Sequence, residues 1–247
     1  MKMRVYLWII MAACLTAGCG EKIKHTGDPD ADIGTNTKIA GDSTLYGLAC
    51  EGCTDSVLVF LPGSGGDPVA YDILEATLHH RVIGRPKTGD WVAVLPDKEE
   101  KGKANMVINL DELKGQWVQM VAPTLRSIPI DDNLDESEQR EIDSLLAERM
   151  KPVEIGFTLK RHYVAQPIGM FRQMQAKEND PVVFPVPRRY MEWHVFNGRL
   201  IMKVRPMRED TLNGHLEICD TAELLLLTRD SLRLRFNDDE KGYHRKK

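Results

Sequence analysis

Short apolar runs cut by tight-turn residues constrain this chain more than any other feature. Met191 to Phe196 and Leu200 to Val204 flank Asn197-Gly198, the strongest short-range signal for a two-residue hairpin. Leu224 to Thr228 and Leu232 to Phe236 flank Arg229-Asp230 in the same way. In the second of these runs Leu232, Leu234 and Phe236 alternate with Arg233 and Arg235. Side chains alternate across a strand, so this pattern predicts a strand with one buried and one wetted face.

The same punctuation runs through the first half. Val57 to Leu61 is β-branched and aromatic, and Pro62 to Pro68 ends it with turn residues. Val69 to Leu74, Val82-Ile83, Trp91 to Leu95 and Met106 to Ile108 are further strand candidates. One helix is predicted between Leu134 and Met150. Ile142, Leu145, Leu146 and Met150 share a face there, Asp135, Glu136 and Glu138 open it, and Arg149 and Lys151 close it before Pro152. Phe157 to Val164 is read as one strand, Gly169 to Pro187 shows none, and Asn237 to Lys247 reads as a frayed charged end. The expected class is mainly β, with a small barrel or sandwich over 44–110 followed by an antiparallel barrel over 111–247 that holds one inserted helix.

The front of the chain concerns location. Met1-Lys2-Met3-Arg4 is basic, Val5 to Ala13 is apolar, and Leu15-Thr16-Ala17-Gly18 precedes Cys19. A basic start, a short apolar stretch and small residues describe a secretory leader. The apolar stretch is too short to span a hydrocarbon core of about 30 Å. With cysteine after the small residues, the segment resembles a bacterial lipoprotein signal. That resemblance implies cleavage after residue 18, acylation of Cys19 and attachment to a membrane through acyl chains. Gly20 is not the aspartate that holds enteric lipoproteins in the inner membrane, so the expected place is the outer membrane. Residues 19–43 are rich in Gly, Asp, Thr and Lys and read as a tether.

Composition narrows the partners. Of 247 residues 42% are hydrophobic, enough for a real core, and the net charge is −4. A mildly acidic body does not favour nucleic acid, which rewards clustered Lys and Arg. Arg188-Arg189 with Arg199 and Arg205 reads as a solvated face rather than a basic patch.

Five cysteines are present. Cys14 leaves with the leader and Cys19 takes the lipid. Cys50 and Cys53 are then the natural pair, a disulfide or a turn, and Cys219 is left as a buried single thiol. Redox work would need an exposed thiol at a helix start, and no such pattern surrounds Cys50-Glu51-Gly52-Cys53. A zinc site lacks a second Cys-x-x-Cys, and the adjacent His79-His80 would point apart in a strand. His162, His194 and His215 are isolated. Gly63-Ser64-Gly65-Gly66 has no lysine or helix after it, and no serine elbow or metalloprotease helix is present. These observations point to a non-catalytic protein without metal or cofactor.

Lys114-Gly115-Gln116-Trp117, Trp193 to Val204 and Thr221 to Leu232 together resemble the opening strand, a middle hairpin and the closing hairpin of a lipocalin-like domain. The whole chain also resembles a group of Bacteroidota lipoproteins, through Tyr46 to Cys53 near the mature start. The lipocalin resemblance implies that Trp117 packs beneath an arginine of the last strand, Arg233 or Arg235. It also implies binding of an apolar small molecule or envelope component. Only five or six of the eight strands of such a barrel are countable, so a closed barrel that docks a protein partner is the alternative, and a thiol role for Cys50 and Cys53 a third.

Overall fold

The computed structural model describes residues 39–126, 135–169, 181–204 and 218–247. The leader, Cys19, the tether up to residue 38, Leu134, Arg205 and His215 lie outside them.

The first sheet collects β1 (Leu45–Ala49), β2 (Val57–Pro62), β3 (Val69–Asp72), β4 (Val82–Ile83), β5 (Trp91–Pro96) and β6 (Ala104–Asn109) in the order β3-β2-β1-β5-β6-β4. All pairings are antiparallel except β4 with β6. The sheet curls until the Asp72 N–H reaches the Gly102 carbonyl at 2.7 Å. The expected strand over Val69–Leu74 stops early, because the Asp72 carboxylate accepts from the Leu74 N–H and starts α1 (Leu74–Leu78). A second short helix, α2 (Leu110–Leu113), is capped by the Asn109 side chain.

This sheet is buried on both faces. Leu58, Phe60, Val92, Val94 and Val107 form a core that Ile73 and Ala76 cover. Trp91, Ala93 and Ile108 point the other way, into a larger core shared with the second sheet. Four consecutive residues, Trp91 to Val94, are therefore buried, and alternation is lost from the sequence because both faces are apolar.

The second sheet contains β7 (Gly115–Val121), β9 (Val153–Leu159), β10 (Ala165–Ile168), β12 (Tyr190–Phe196), β13 (Arg199–Val204), β14 (Cys219–Leu227), β15 (Ser231–Phe236) and β16 (Asp239–Arg245). Its order is β10-β9-β7-β16-β15-β14-β13-β12. β8 (Thr124–Leu125) and β11 (Val182–Val183) form a separate pair. The first and last strands are joined, with His244 opposite Val118 and Arg245 opposite Trp117. At the other seam the Trp193 N–H donates to the Tyr163 carbonyl at 2.8 Å, and Val164 bridges Glu192. The result is a nearly closed, eight-stranded, antiparallel up-and-down barrel, which is the lipocalin-like architecture.

Three expectations change here. The charged end is strand β16 rather than a frayed tail; Asn237, at a φ of 51°, turns the chain into it. The strand expected over Phe157 to Val164 covers Val153–Leu159, because His162 and Tyr163 take φ values of 56° and 57° in a turn. Gly169 to Pro187 contributes β11 among its described residues.

The inserted helix is α3 (Glu136–Arg149). A capping box links Asp135 and Glu138, and none of its residues is buried. The NG hairpin forms as its sequence dictates, with φ of 46° at Asn197 and 80° at Gly198.

The two ends of the barrel differ. Short turns at Asn197-Gly198 and Arg229-Asp230 close one end, and the first sheet seats on it. The Tyr46 hydroxyl donates to the Val195 carbonyl at 2.6 Å. The Ser43 N–H donates to Asn197 Oδ1 at 2.9 Å, and the Asn197 N–H to Asp42 Oδ1 at 3.0 Å. Ile83, Leu110 and Leu113 complete the plug against Trp117, Trp193 and Leu227. At the other end, among the described residues, the barrel opens.

Candidate functional site

The closed end is built around Trp117. Its indole is fully buried and donates to the Leu113 carbonyl at 2.8 Å. A guanidinium covers it, that of Arg245, with Cζ 4.1 Å from the ring centroid. Arg245 Nη1 donates to the Lys114 carbonyl at 2.7 Å, and Nη2 donates to the Glu112 carbonyl. Arg233 and Arg235 do not take this place. Both project from the outer face of β15: Arg233 is exposed, and Arg235 pairs with Glu240 at 2.6 Å and Glu223 at 3.2 Å. The arginine belongs to β16, whose charged sequence concealed it as a strand.

Above Trp117 the barrel is filled. Trp117, Phe157, Trp193, Met202, Leu232 and Leu234 are each at most 2% exposed. Toward the mouth, the described residues line an open cavity of about 520 Å³. Its floor is aromatic. Phe157 meets Tyr190 edge-on with centroids 5.8 Å apart, and Tyr243 at 5.0 Å. Around this floor stand Gln119, Arg188, Asp220, Asn237, Asp239 and Lys241.

The polar groups of the mouth are organised. The Tyr190 hydroxyl donates to Asp220 Oδ2 at 2.9 Å. Arg188 Nε lies 3.5 Å from the same carboxylate oxygen, and Lys241 Nζ lies 3.2 Å from Asp239. Burial first, and the Asp220 charge second, push the Tyr190 pKa well above the usual phenol value. Burial and Asp239 do the same for Tyr243. Both phenols therefore stay protonated, and that of Tyr190 serves as a donor.

The remaining candidate residues lie elsewhere. Cys50 and Cys53 are free thiols in the β1–β2 hairpin loop, not a disulfide. Cys53 Sγ accepts from the Val59 N–H at 3.4 Å and donates to the Cys50 carbonyl at 3.1 Å. Cys53 borders a second cavity, of about 560 Å³, where Leu58 and Ile83 face Leu225 to Leu227 of β14. Cys219 is exposed, not buried, and lies at the mouth. His194 stacks on Tyr163 with centroids 4.6 Å apart, while His162 is exposed in the turn before β10. Arg199 pairs with Glu223 at 3.2 Å. Among the described residues no three His, Cys, Asp or Glu side chains converge as metal ligands.

The sequence held no local sign of the mouth. Its residues come from β7, β9, β12, β14, β15 and β16 and from the segments before β12 and between β15 and β16, more than 120 positions apart at the extremes (Gln119 to Tyr243), and only barrel closure gathers them.

No family model matches the chain, and the comparison with curated proteins returned no match. Among solved structures the chain is similar to the crystal structure of a lipocalin-like protein from Bacteroides thetaiotaomicron. Identity is 19%, the TM-score is 0.30, and the match covers 55% of this chain and 97% of that one.

Proposed function

We propose that this chain is a lipid-anchored, non-catalytic binding protein of the cell envelope, held by acyl chains on Cys19 in the outer membrane, that takes a small molecule in the mouth of its eight-stranded barrel. One observation carries this reading. The barrel is packed solid at the plugged end and opens into a cavity of about 520 Å³ at the other. That volume lies within the range of about 300–1,000 Å³ typical of small-molecule sites. An aromatic floor beneath a few convergent polar groups is the usual composition of such a site. The ligand is not wholly apolar, because six of the sixteen residues of the wall that would meet it are charged or amide.

The direction of the mouth fits an anchored protein. Gly41 to Ser43, the last residues of the expected tether, are hydrogen-bonded to Asn197 at the plugged end. An anchor at Cys19 thus joins the body on the side opposite the mouth. The ligand then reaches the protein from the aqueous side rather than from the bilayer.

Native mass spectrometry of protein purified from its host tests the role. Wild type should carry an additional small-molecule mass that Tyr243→Ala loses. The same bare mass for both proteins argues against the reading.

One observation favours a second reading, a docking module. Helix α3 buries none of its residues and leaves Ile142 and Leu145 exposed. If docking is the role, Ile142→Glu with Leu145→Glu should release a partner in crosslinking from intact cells, and Tyr243→Ala should not.

A further inference from the structure

We infer that the mouth selects an uncharged, polyhydroxylated ring compound, the chemistry of a neutral saccharide unit. This rests on the proposed binding role of the mouth and names its ligand class.

The charges of the wall decide between classes. Among the described residues the cations lining the mouth are Arg188 and Lys241, and the anions are Asp220 and Asp239. Each cation already faces a carboxylate, at 3.5 Å for Arg188 with Asp220 and 3.2 Å for Lys241 with Asp239. The described wall is balanced. An anionic ligand would meet a carboxylate beside each cation, and a cationic ligand would meet a cation beside each carboxylate, so neither charge gains a net attraction. A fully apolar ligand fares no better: it would strip water from two ion pairs and two amides and return no hydrogen bond.

Hydroxyl groups suit such a wall. Each is at once a donor and an acceptor, so neighbouring hydroxyls can give to Asp220 or Asp239 and accept from Arg188 or Lys241 without breaking either pair. Gln119 and Asn237 line the same space, and their side-chain amides make no hydrogen bond within the described residues. Each amide brings two donors and an acceptor. The protonated Tyr190 phenol extends the same network through Asp220.

The aromatic groups supply the other half of the match. Phe236 is only partly buried beside Lys241, whose ammonium lies 5.7 Å from its ring centroid. With Phe157 and Tyr243 it gives the C–H face of a ring an apolar surface. A site built to bond hydroxyls rejects analogues that lack them far more strongly than an apolar pocket rejects an added methylene.

The test is calorimetric titration with amide-shift mapping, on the full chain carrying Cys19→Ser. The probes are maltose, cellobiose and N,N′-diacetylchitobiose, beside palmitate and inorganic phosphate. At least one saccharide should bind and shift the Gln119 and Asn237 side-chain signals. Asp220→Asn and Lys241→Met should each weaken it by about tenfold, the scale of one charge-assisted hydrogen bond. Lys241 is half-exposed, more so than Asp220, so Lys241→Met keeps the test usable should Asp220→Asn unfold the barrel. If palmitate or phosphate shifts Gln119 and Asn237 and no saccharide does, the ligand class is wrong and the mouth remains the binding site. A saccharide that binds without moving these signals also overturns the inference. If no probe moves them, the binding role of the mouth falls with it.

Discussion

Arg245 occupies the space that a side chain at Gly115 would need. A Cβ on Gly115 would lie 2.0 Å from Arg245 Nη1, and Gly115 holds a φ of +145° that favours glycine. The Gly-x-Trp opening of β7 is thus one half of a lock. Glycine admits the guanidinium, the guanidinium covers Trp117, and its N–H groups satisfy the Lys114 and Glu112 carbonyls at the entry to the barrel.

Removing either half of this lock should destabilise the fold. Arg245→Ala uncovers the indole and strips two part-buried carbonyls of their donor, a loss of about 2–4 kcal/mol from the cation–π and charge-assisted contributions together. Gly115→Ala should cost a similar amount by expelling the guanidinium. Arg245→Lys should not restore stability, since an ammonium lacks the planar fork that reaches both carbonyls. Arg233→Ala, an exposed change on the outer face, should stay within about 0.5 kcal/mol. Chemical denaturation of the four variants beside wild type decides the ranking. A loss for Arg233→Ala as large as that for Arg245→Ala would contradict it.

The Asn197 turn has two separable roles. Its left-handed backbone makes the hairpin, and its side chain ties down residues 41–43. Asn197→Gly keeps the turn and loses the tie, so Ser43 should exchange its amide proton faster while the melting temperature moves little. Asn197→Ala loses both and should cost about 1–2 kcal/mol more, the penalty for an L-residue in that region. Hydrogen exchange and melting curves on the same pair separate the effects.

Acid should weaken the barrel through His194. Its imidazole packs on Tyr163, with Glu192 Oε2 at 3.9 Å and Lys203 nearby. Burial is the largest influence and lowers its pKa from 6.5; Glu192 opposes this and Lys203 assists it. The unfolded chain therefore takes up the proton first, and folded-state stability falls as pH drops through the ordinary histidine range toward the lowered value. Below that value the penalty is constant. His194→Gln should flatten the melting-temperature profile between about pH 7 and pH 5. A variant whose profile parallels wild type over that interval shows that other groups control the acid response.

Lipidation hinges on one thiol. Cys19→Ser should abolish palmitate labelling and move the protein from the membrane pellet to the soluble fraction, with its melting temperature unchanged. Continued membrane fractionation of the unlabelled variant would point to attachment through the folded body.

Wherever a few neighbouring residues carry the whole instruction, the sequence was enough. Asn197-Gly198 prescribes its own turn because few other pairs tolerate two consecutive left-handed conformations. Leu232 to Phe236 declares its buried face by alternation, and Asp135 with Glu138 marks the start of α3 through a local capping box. Gly115 and Trp117 identified the first strand of the barrel.

What escaped the sequence depends on partners far away along the chain. Asp239 to Arg245 reads as a solvated tail because six of its seven residues are Asp, Glu, Lys, Gly, His or Arg; only pairing with β7 and β15 makes it a strand. Lys241 and Arg245 then turn inward, their aliphatic stems against apolar neighbours and their charged ends at polar groups. The Arg245–Trp117 contact, the double burial of Trp91 to Val94 and the convergence of Gln119, Asp220 and Lys241 at the mouth share one cause. Turn chemistry and alternation act over two to five residues, whereas register and barrel closure are set by the burial of whole faces against one another. The sequence by itself therefore determined strands, turns and fold class, and the tertiary structure alone decided which charged side chains stand together around a cavity.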